Sequence, residues 1–272
     1  GHLTIASDDP KVVYVMGRSI QRSTDGGDHF TIFKGAPGGD DYHFLWINPS
    51  NPAYLITGAD QGAAVTVNGG ETWSDWYNQP TGQFYHLAAD DRFPYWIYSG
   101  QQDNGTVAIS SRGPNGVIEE RDWRPTGGDE RGYEIPKPGN PEIVVGTGLG
   151  GYVSRVNETT HQVTNISPWP ISSYAARPTT VRYHYTWITP LAYSPIGFRY
   201  LYFGAQVLFR SSDDGDNWDI VSPDLSGKKP NSGNCGKPDL IGARDCGVGT
   251  IFTIAPSAMA ENVVWVGTDD GL

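Results

Sequence analysis

The sequence predicts an all-β chain built as an array of like units, and three observations carry that expectation. The first is a segment that occurs three times: Ser23-Thr24-Asp25-Gly26-Gly27-Asp28-His29-Phe30, Thr66-Val67-Asn68-Gly69-Gly70-Glu71-Thr72-Trp73 and Ser211-Ser212-Asp213-Asp214-Gly215-Asp216-Asn217-Trp218. Each has Ser or Thr, then Asp or Asn two residues on, Gly two further and an aromatic three beyond, and repetition on this scale sets architecture before any single site does. The second is an anchor of turn, β-rich run and glycine that recurs through the chain and ends at Gly17, Gly58, Gly100, Gly146, Gly204 and Gly267. The third is composition: 35 Gly, 20 Pro, 15 Tyr and 9 Trp among 272 residues suit many short strands joined by turns.

The repeated segment has the chemistry of a rigid hairpin turn. A short Asp or Asn side chain accepts bonds from nearby backbone N–H groups, while glycine takes the positive φ. The terminal aromatic (Phe30, Trp73, Trp218) is expected to pack flat between neighbouring units. These segments resemble the Asp-boxes, or BNR repeats, of the sialidase, xyloglucanase and sortilin-type β-propellers. The resemblance implies a propeller of four-stranded blades, with the box as a structural staple at the C-D turn, away from the active face.

Successive anchor glycines are 41, 42, 46, 58 and 63 residues apart, near the roughly 40 to 50 residues of a four-stranded blade with the last two lengthened by loops. The chain is expected to be one β-propeller domain, 1–272, with blades at about 1–36, 40–80, 83–126, 130–170, 183–224 and 248–272. In the second unit strand A is read at Tyr42 to Ile47, B at Ala53 to Thr57, C at Ala63 to Val67 and D at Thr72 to Tyr77. Units three and four keep the rhythm with degenerate boxes around Ser110 to Asn115 and Asn157 to Thr160. The sixth stops after strand B, giving five full blades and a partial sixth. A blade without its C and D strands leaves an open edge, so the chain is expected to be a fragment of a longer propeller.

A net charge of −11 argues against nucleic acid, whose binding depends on Lys and Arg neutralising phosphates. No apolar run approaches the roughly 20 residues that span a bilayer, so no membrane insertion is expected. Cys235 and Cys246 share one Gly/Pro/Asn-rich stretch, where they can staple a loop or stay free thiols. No Cys or His stands at zinc-ligand spacing around them. No cofactor and no metal are expected.

Because each strand reverses direction, A-B and C-D turns share one face and B-C and D-A loops the other. The second face gathers Asp60, Gln101, Gln102, Asp103 and Asp270 from B-C loops, and Gln83, Tyr85, His86, Asp129, Glu130, Arg131, Tyr133, Tyr183 and Trp187 from D-A loops. Aromatic faces suit pyranose rings, and planar amides and carboxylates suit their hydroxyls. Glycoside hydrolysis needs two carboxyl groups, and Asp60, Asp103, Asp129, Glu130 and Asp270 are the candidates. Each alone also fits a loop hydrogen-bonder. Ala59-Asp60-Gln61-Gly62-Ala63 is similar to the Asp-x-Gly-Gly loop that carries a catalytic aspartate in xyloglucanases, departing at Ala63. The sialidase pattern is not matched, because Arg18, Arg131 and Arg182 are the only basic residues placed on this face and no Arg-Ile-Pro opening occurs. His43, His86 and His184 hold like D-A positions, as separate strand residues or as metal ligands around an axis.

The run Asn78 to His86, then Gly100-Gln101-Gln102-Asp103-Asn104 and later Trp265 to Leu272, resembles large bacterial secreted proteins known as glycosyl hydrolases with BNR or sortilin-type repeats. That implies an extracellular or periplasmic location, a carbohydrate substrate and a longer parent polypeptide. Two functions follow. One is an extracellular glycosidase, with two of the five acids as acid and base, and Gln83, Tyr85, His86, Gln101, Gln102, Arg131, Tyr133, Tyr183 and Trp187 around the substrate. The other is a non-catalytic sortilin-type propeller that captures a peptide or protein. A carboxylate pair about 5 to 10 Å apart across an open cleft favours the first.

Overall fold

A computed structural model describes residues 1–76, 81–174, 176, 180–226 and 249–269. Cys235, Cys246 and Asp270 lie outside the described residues, as does Tyr77 at the end of the expected D strand. The chain divides into two compact units, Gly1–Gly82 and Gln83–Leu272.

The first unit holds two sheets. Strands β1 (Leu3–Ile5), β2 (Val13–Met16), β3 (Ile20–Ser23) and β4 (Thr31–Lys34) pair in chain order, as do β5 (Tyr42–Ile47), β6 (Leu55–Ala59) and β7 (Gly62–Thr66). Every pairing is antiparallel, with Leu45 opposite Thr57 and Thr57 opposite Ala64. Tyr14, Met16 and Ile20 pack against Tyr42, Leu45 and Leu55 between the two sheets.

The second unit continues the same plan. Strands β8 (Ala88–Ala89), β9 (Trp96–Gln101), β10 (Gly105–Ser110) and β11 (Trp123–Arg124) form one four-stranded meander, and β12 (Glu134–Lys137), β13 (Asn140–Thr147), β14 (Val153–Asn157) and β15 (Gln162–Asn165) the next. A third comprises β16 (Leu191–Tyr193), β17 (Leu201–Gly204), β18 (Leu208–Ser211) and β19 (Asp219–Ile220), and β20 (Ile251–Pro256) pairs with β21 (Val264–Thr268). Tyr98, Ala108 and Val144 join the first of these sheets to the second. Val145, Val153, Leu191, Phe203 and Phe209 join the second to the third, and Tyr202, Leu208 and Ile251 the third to β20–β21. Sheets covered on both faces read as unbroken apolar runs: Leu201, Tyr202 and Phe203 are all buried. The chain thus has the all-β, blade-type architecture of a β-propeller.

Two of the anchor glycines, Gly100 and Gly204, sit where the next sheet or the loop entering it approaches closely. A Cβ at Gly204 would stand 2.8 Å from Pro190 Cγ and 3.0 Å from Ile251 Cγ2, and one at Gly100 3.0 Å from the Asp129 carbonyl oxygen and the Gly132 nitrogen. Any side chain there would push the next sheet away.

The three repeated turns are superposable in their bonds. The hydroxyl of Ser23, Thr66 or Ser211 accepts from the N–H of Gly27, Gly70 or Gly215 at 2.9, 3.1 and 2.8 Å. The Asp25, Asn68 or Asp213 Oδ1 accepts from the N–H four residues on at 3.0, 3.0 and 2.9 Å. Two successive positive φ angles bend the chain, at Gly26–Gly27, Gly69–Gly70 and Asp214–Gly215. Bonds from the Asn217 side chain and N–H and from the Ser211 hydroxyl hold the Asp213 carboxyl at about 2.

Three expectations are corrected. Residues 72–76 form no strand, so the second sheet has three strands among the described residues: the ladder ends once Ser74 N–H has bonded Val65 O at 2.8 Å. Strands B and C of that sheet are Leu55–Ala59 and Gly62–Thr66, shifted from the expected ranges because the Asp60–Gln61 turn is only two residues long. The turn aromatics do not pack flat. Trp73 meets Phe33 edge-on at 78°, Trp218 bonds the Ile166 carbonyl through Nε1 at 2.7 Å, and Phe30 stays 39% exposed. Among the described residues no helix is long and apolar enough to cross a membrane.

Candidate functional site

In the first unit Asp60 occupies the β6–β7 turn and its Oδ1 lies 2.5 Å from His43 Nε2. Its neighbour Gln61 donates through Nε2 to Asp40 Oδ1 at 2.6 Å and accepts from the Asp40 N–H at 3.1 Å. The loop entering β5 is thereby tied to the turn leaving β6. His43 is therefore paired with Asp60, and among the described residues no three His, Cys, Asp or Glu side chains converge as metal ligands.

The second unit brings together most of the remaining candidates. Residues 83–86 run beside the end of β9: Gln102 N–H donates to the Gln83 carbonyl at 2.9 Å, and Phe84 bridges Gln101. The β9–β10 turn reverses through Asp103, at φ 58°, and Gly105, at φ 81°. This places the Gln102 side chain where Tyr85 Oη donates to its Oε1, while its Nε2 donates to Asp103 Oδ1 at 2.7 Å. Trp187, from the segment before β16, donates through Nε1 to Tyr85 Oη at 3.2 Å. The Arg131 guanidinium lies 3.8 Å over the Trp187 ring and pairs with Glu130. His86 stacks on Tyr133 with centroids 3.9 Å apart, and burial lowers the His86 pKa.

The carboxyl groups here are not equivalent. Asp129 Oδ2 accepts from the Leu149 N–H at 3.1 Å, whereas its buried Oδ1 has no partner among the described residues. Burial raises the Glu130 pKa above the ordinary 4.5; Arg131 opposes the shift, and the negative charges of Asp103 and Asp129 reinforce it. A raised pKa brings a carboxyl closer to the range in which it can give up a proton as a general acid.

Sequence reasoning missed Glu134, the first residue of β12. It is 1% exposed, and neither carboxyl oxygen has a partner among the described residues. A Cβ at Gly128 would stand 2.1 Å from its Oε1, and one at Gly146 2.0 Å from its Oε2. Glycines at both positions leave the space the carboxyl fills. Burial drives its pKa well above 4.5; the Asp129 N–H, committed to the Thr147 carbonyl at 3.2 Å, only partly offsets this, and the Asp129 charge adds to it. Gln206, in the turn after β17, was also missed. It accepts from the His184 N–H and donates to the Arg182 carbonyl, each at 2.9 Å. Gln101 contributes its backbone carbonyl to the β9–β10 turn. Tyr183 is placed elsewhere, in the core: its ring packs edge-on against Phe209 at 5.0 Å and Trp169 at 6.0 Å.

Neither a protein-family model nor a curated protein sequence matches the chain. Among solved structures it is similar to the GH74 xyloglucanase from Xanthomonas campestris at 15% identity and TM-score 0.38, over 85% of this chain and 40% of that one. It is similar to the Niastella koreensis GH74 enzyme at 15% identity and TM-score 0.29, over 80% and 37%. It is also similar to YCF48 bound to D1 peptide, at 14% identity and TM-score 0.35, over 79% and 66%. The chain therefore spans less than two thirds of each of these structures.

Proposed function

We propose that this chain is part of an extracellular or periplasmic glycoside hydrolase, with Glu130 as general acid and Asp129 as the second carboxylate. The observation that carries the reading is the pairing of unlike carboxyls: Glu130, its pKa raised by burial and by neighbouring charge, beside Asp129, whose buried Oδ1 is unpartnered. In such a reaction Glu130 gives its proton to the leaving glycosidic oxygen. Asp129 either activates water or attacks the anomeric carbon. Asp103 adds to the charge that raises Glu130, and Gln102, Tyr85 and Trp187 supply the amide, hydroxyl and ring face that meet a sugar. Asp60, tied to His43, stands as a further carboxylate candidate from the first unit. The longer parent polypeptide and the location are supported by the resemblance of the sequence to secreted BNR-repeat proteins.

General-acid catalysis is tested by leaving-group dependence. Glu130→Gln is expected to lose at least a hundredfold in kcat/KM on an unactivated oligosaccharide and much less on an activated aryl glycoside, whose leaving oxygen needs no proton. Equal losses on both would remove Glu130 from that role. The peptide-capturing reading is favoured by one observation, that Trp187, Tyr85 and Gln102 are already hydrogen-bonded in a chain to one another. It gains if no glycoside is turned over and peptides bind.

A further inference from the structure

The β8–β11 sheet carries a pocket at the end away from the candidate site. One end carries the β9–β10 turn and the candidate site. The opposite end, five residues back along β9 or about 16 Å at strand rise, opens into a pocket of about 660 Å³. That volume lies within the range of small-molecule sites. Its walls include Trp96, Trp123, Arg112, Arg121, Asp122 and Arg124. Three arginines at one pocket are unexpected in a chain with 19 basic and 30 acidic residues.

Their commitments differ. Arg121 pairs with Glu119. Arg124 pairs with Glu158 at 3.0 Å and lies 4.2 Å over the Trp96 ring, yet its buried Nε has no hydrogen-bond partner among the described residues. Asp122 faces its own loop, accepting the Glu119 N–H at 2.8 Å. The Arg112 side chain is exposed and makes no ion pair among the described residues. Gly113, beside it, closes the loop: a Cβ there would stand 1.6 Å from the Val117 carbonyl oxygen. The Trp123 ring is 42% exposed.

We propose that this pocket binds an acidic saccharide unit, with Arg112 on its carboxylate or sulfate and the exposed Trp123 indole along the ring, while Trp96, covered by the Arg92 and Arg124 guanidiniums, forms the pocket floor. A guanidinium holds a planar or tetrahedral oxyanion through paired N–H donors, and indole faces cover the apolar C–H face of a pyranose. Glu119, Glu158 and Asp122 limit the positive charge, which selects a singly charged group over a phosphate dianion. The pocket is separate from the Glu130–Asp129 site and holds a glycan without cutting it.

Calorimetric titration of the whole chain with an oligogalacturonide, a sulfated oligosaccharide and a neutral cello-oligosaccharide tests this. Either acidic ligand is expected to bind with salt-sensitive affinity, at least tenfold more tightly than the neutral one. Arg112→Gln, an exposed change, is expected to weaken that binding at least tenfold with thermal unfolding unchanged, and Glu130→Gln to leave it as in the unaltered chain. Failure of both acidic ligands to bind at millimolar concentration, or equal binding by Arg112→Gln, would overturn the proposal. Loss in Glu130→Gln instead would move the ligand to the other site.

Discussion

Replacing Glu134 by glutamine is expected to change how stability depends on pH. In the unfolded chain this carboxyl ionises near 4.5, whereas burial in the fold keeps its proton on to a much higher pH. Above pH 4.5 the native state therefore holds one more proton than the unfolded state, so this group lowers stability as pH rises. The slope is about 1.4 kcal/mol per pH unit until the native group itself ionises. Glutamine has nearly the same shape and no proton to lose. Its unpartnered amide adds a cost of roughly 1–3 kcal/mol that does not vary with pH, so the readout is the slope and not the level. Urea unfolding of both proteins between pH 4 and 7, followed through the transition of the unit that holds β12, measures the difference. Through the range above pH 4.5 in which the native group keeps its proton, the variant is expected to gain steadily on the parent, by roughly 1 kcal/mol per pH unit. A difference constant across that range, or one that grows toward acid, would refute the argument that Glu134 is buried in its neutral form.

Two further substitutions probe the turns and the anchors. Ser211→Ala leaves the N–H groups of Gly215 and Asp213, held at 2.8 and 3.2 Å, without their acceptor, which costs roughly 1–3 kcal/mol; denaturant unfolding checks it, and an unchanged midpoint would show the turn to be dispensable. Gly100→Ala drives a Cβ to 3.0 Å from backbone atoms of the Asp129–Gly132 segment, at a cost of roughly 1–3 kcal/mol. It is expected to reduce turnover more than stability alone explains, because those atoms carry Asp129, Glu130 and Arg131.

The repeated turns were legible because their bonds run between residues two and four apart, within the reach of a local pattern. Two of the anchor glycines were legible for a related reason: Gly100 and Gly204 stand where the next sheet or its entry loop approaches, whereas Gly17 and Gly58 have open space around them and mark only the rhythm of the strands. That the second sheet has no fourth strand among the described residues was not, since Thr72 to Trp76 has strand-forming residues and only its lack of a ladder beyond Ser74 distinguishes it. Within the site, alternation of strand direction brought Tyr85, Gln102, Glu130, Arg131 and Trp187 to one end, but not their pairing, which joins residues as far apart as Tyr85 and Trp187. Glu134 escaped because a carboxylate in a strand normally faces water. Its cradle is non-local, with Gly128 before β12 and Gly146 across the ladder in β13. Tyr183 resembled a loop aromatic, yet Phe209 and Trp169 enclose it.

The central claim is that the Glu130–Asp129 pair cuts glycosidic bonds, and the most direct test is product release from a panel of polysaccharides by the parent chain, Glu130→Gln, Asp129→Asn, Asp103→Asn and Asp60→Asn. The account predicts new reducing ends from at least one polysaccharide, lost by a hundredfold or more in the Glu130 and Asp129 variants and reduced far less in the Asp60 variant. Equal activity in all five proteins, or none in the folded parent on any glycan, would contradict it.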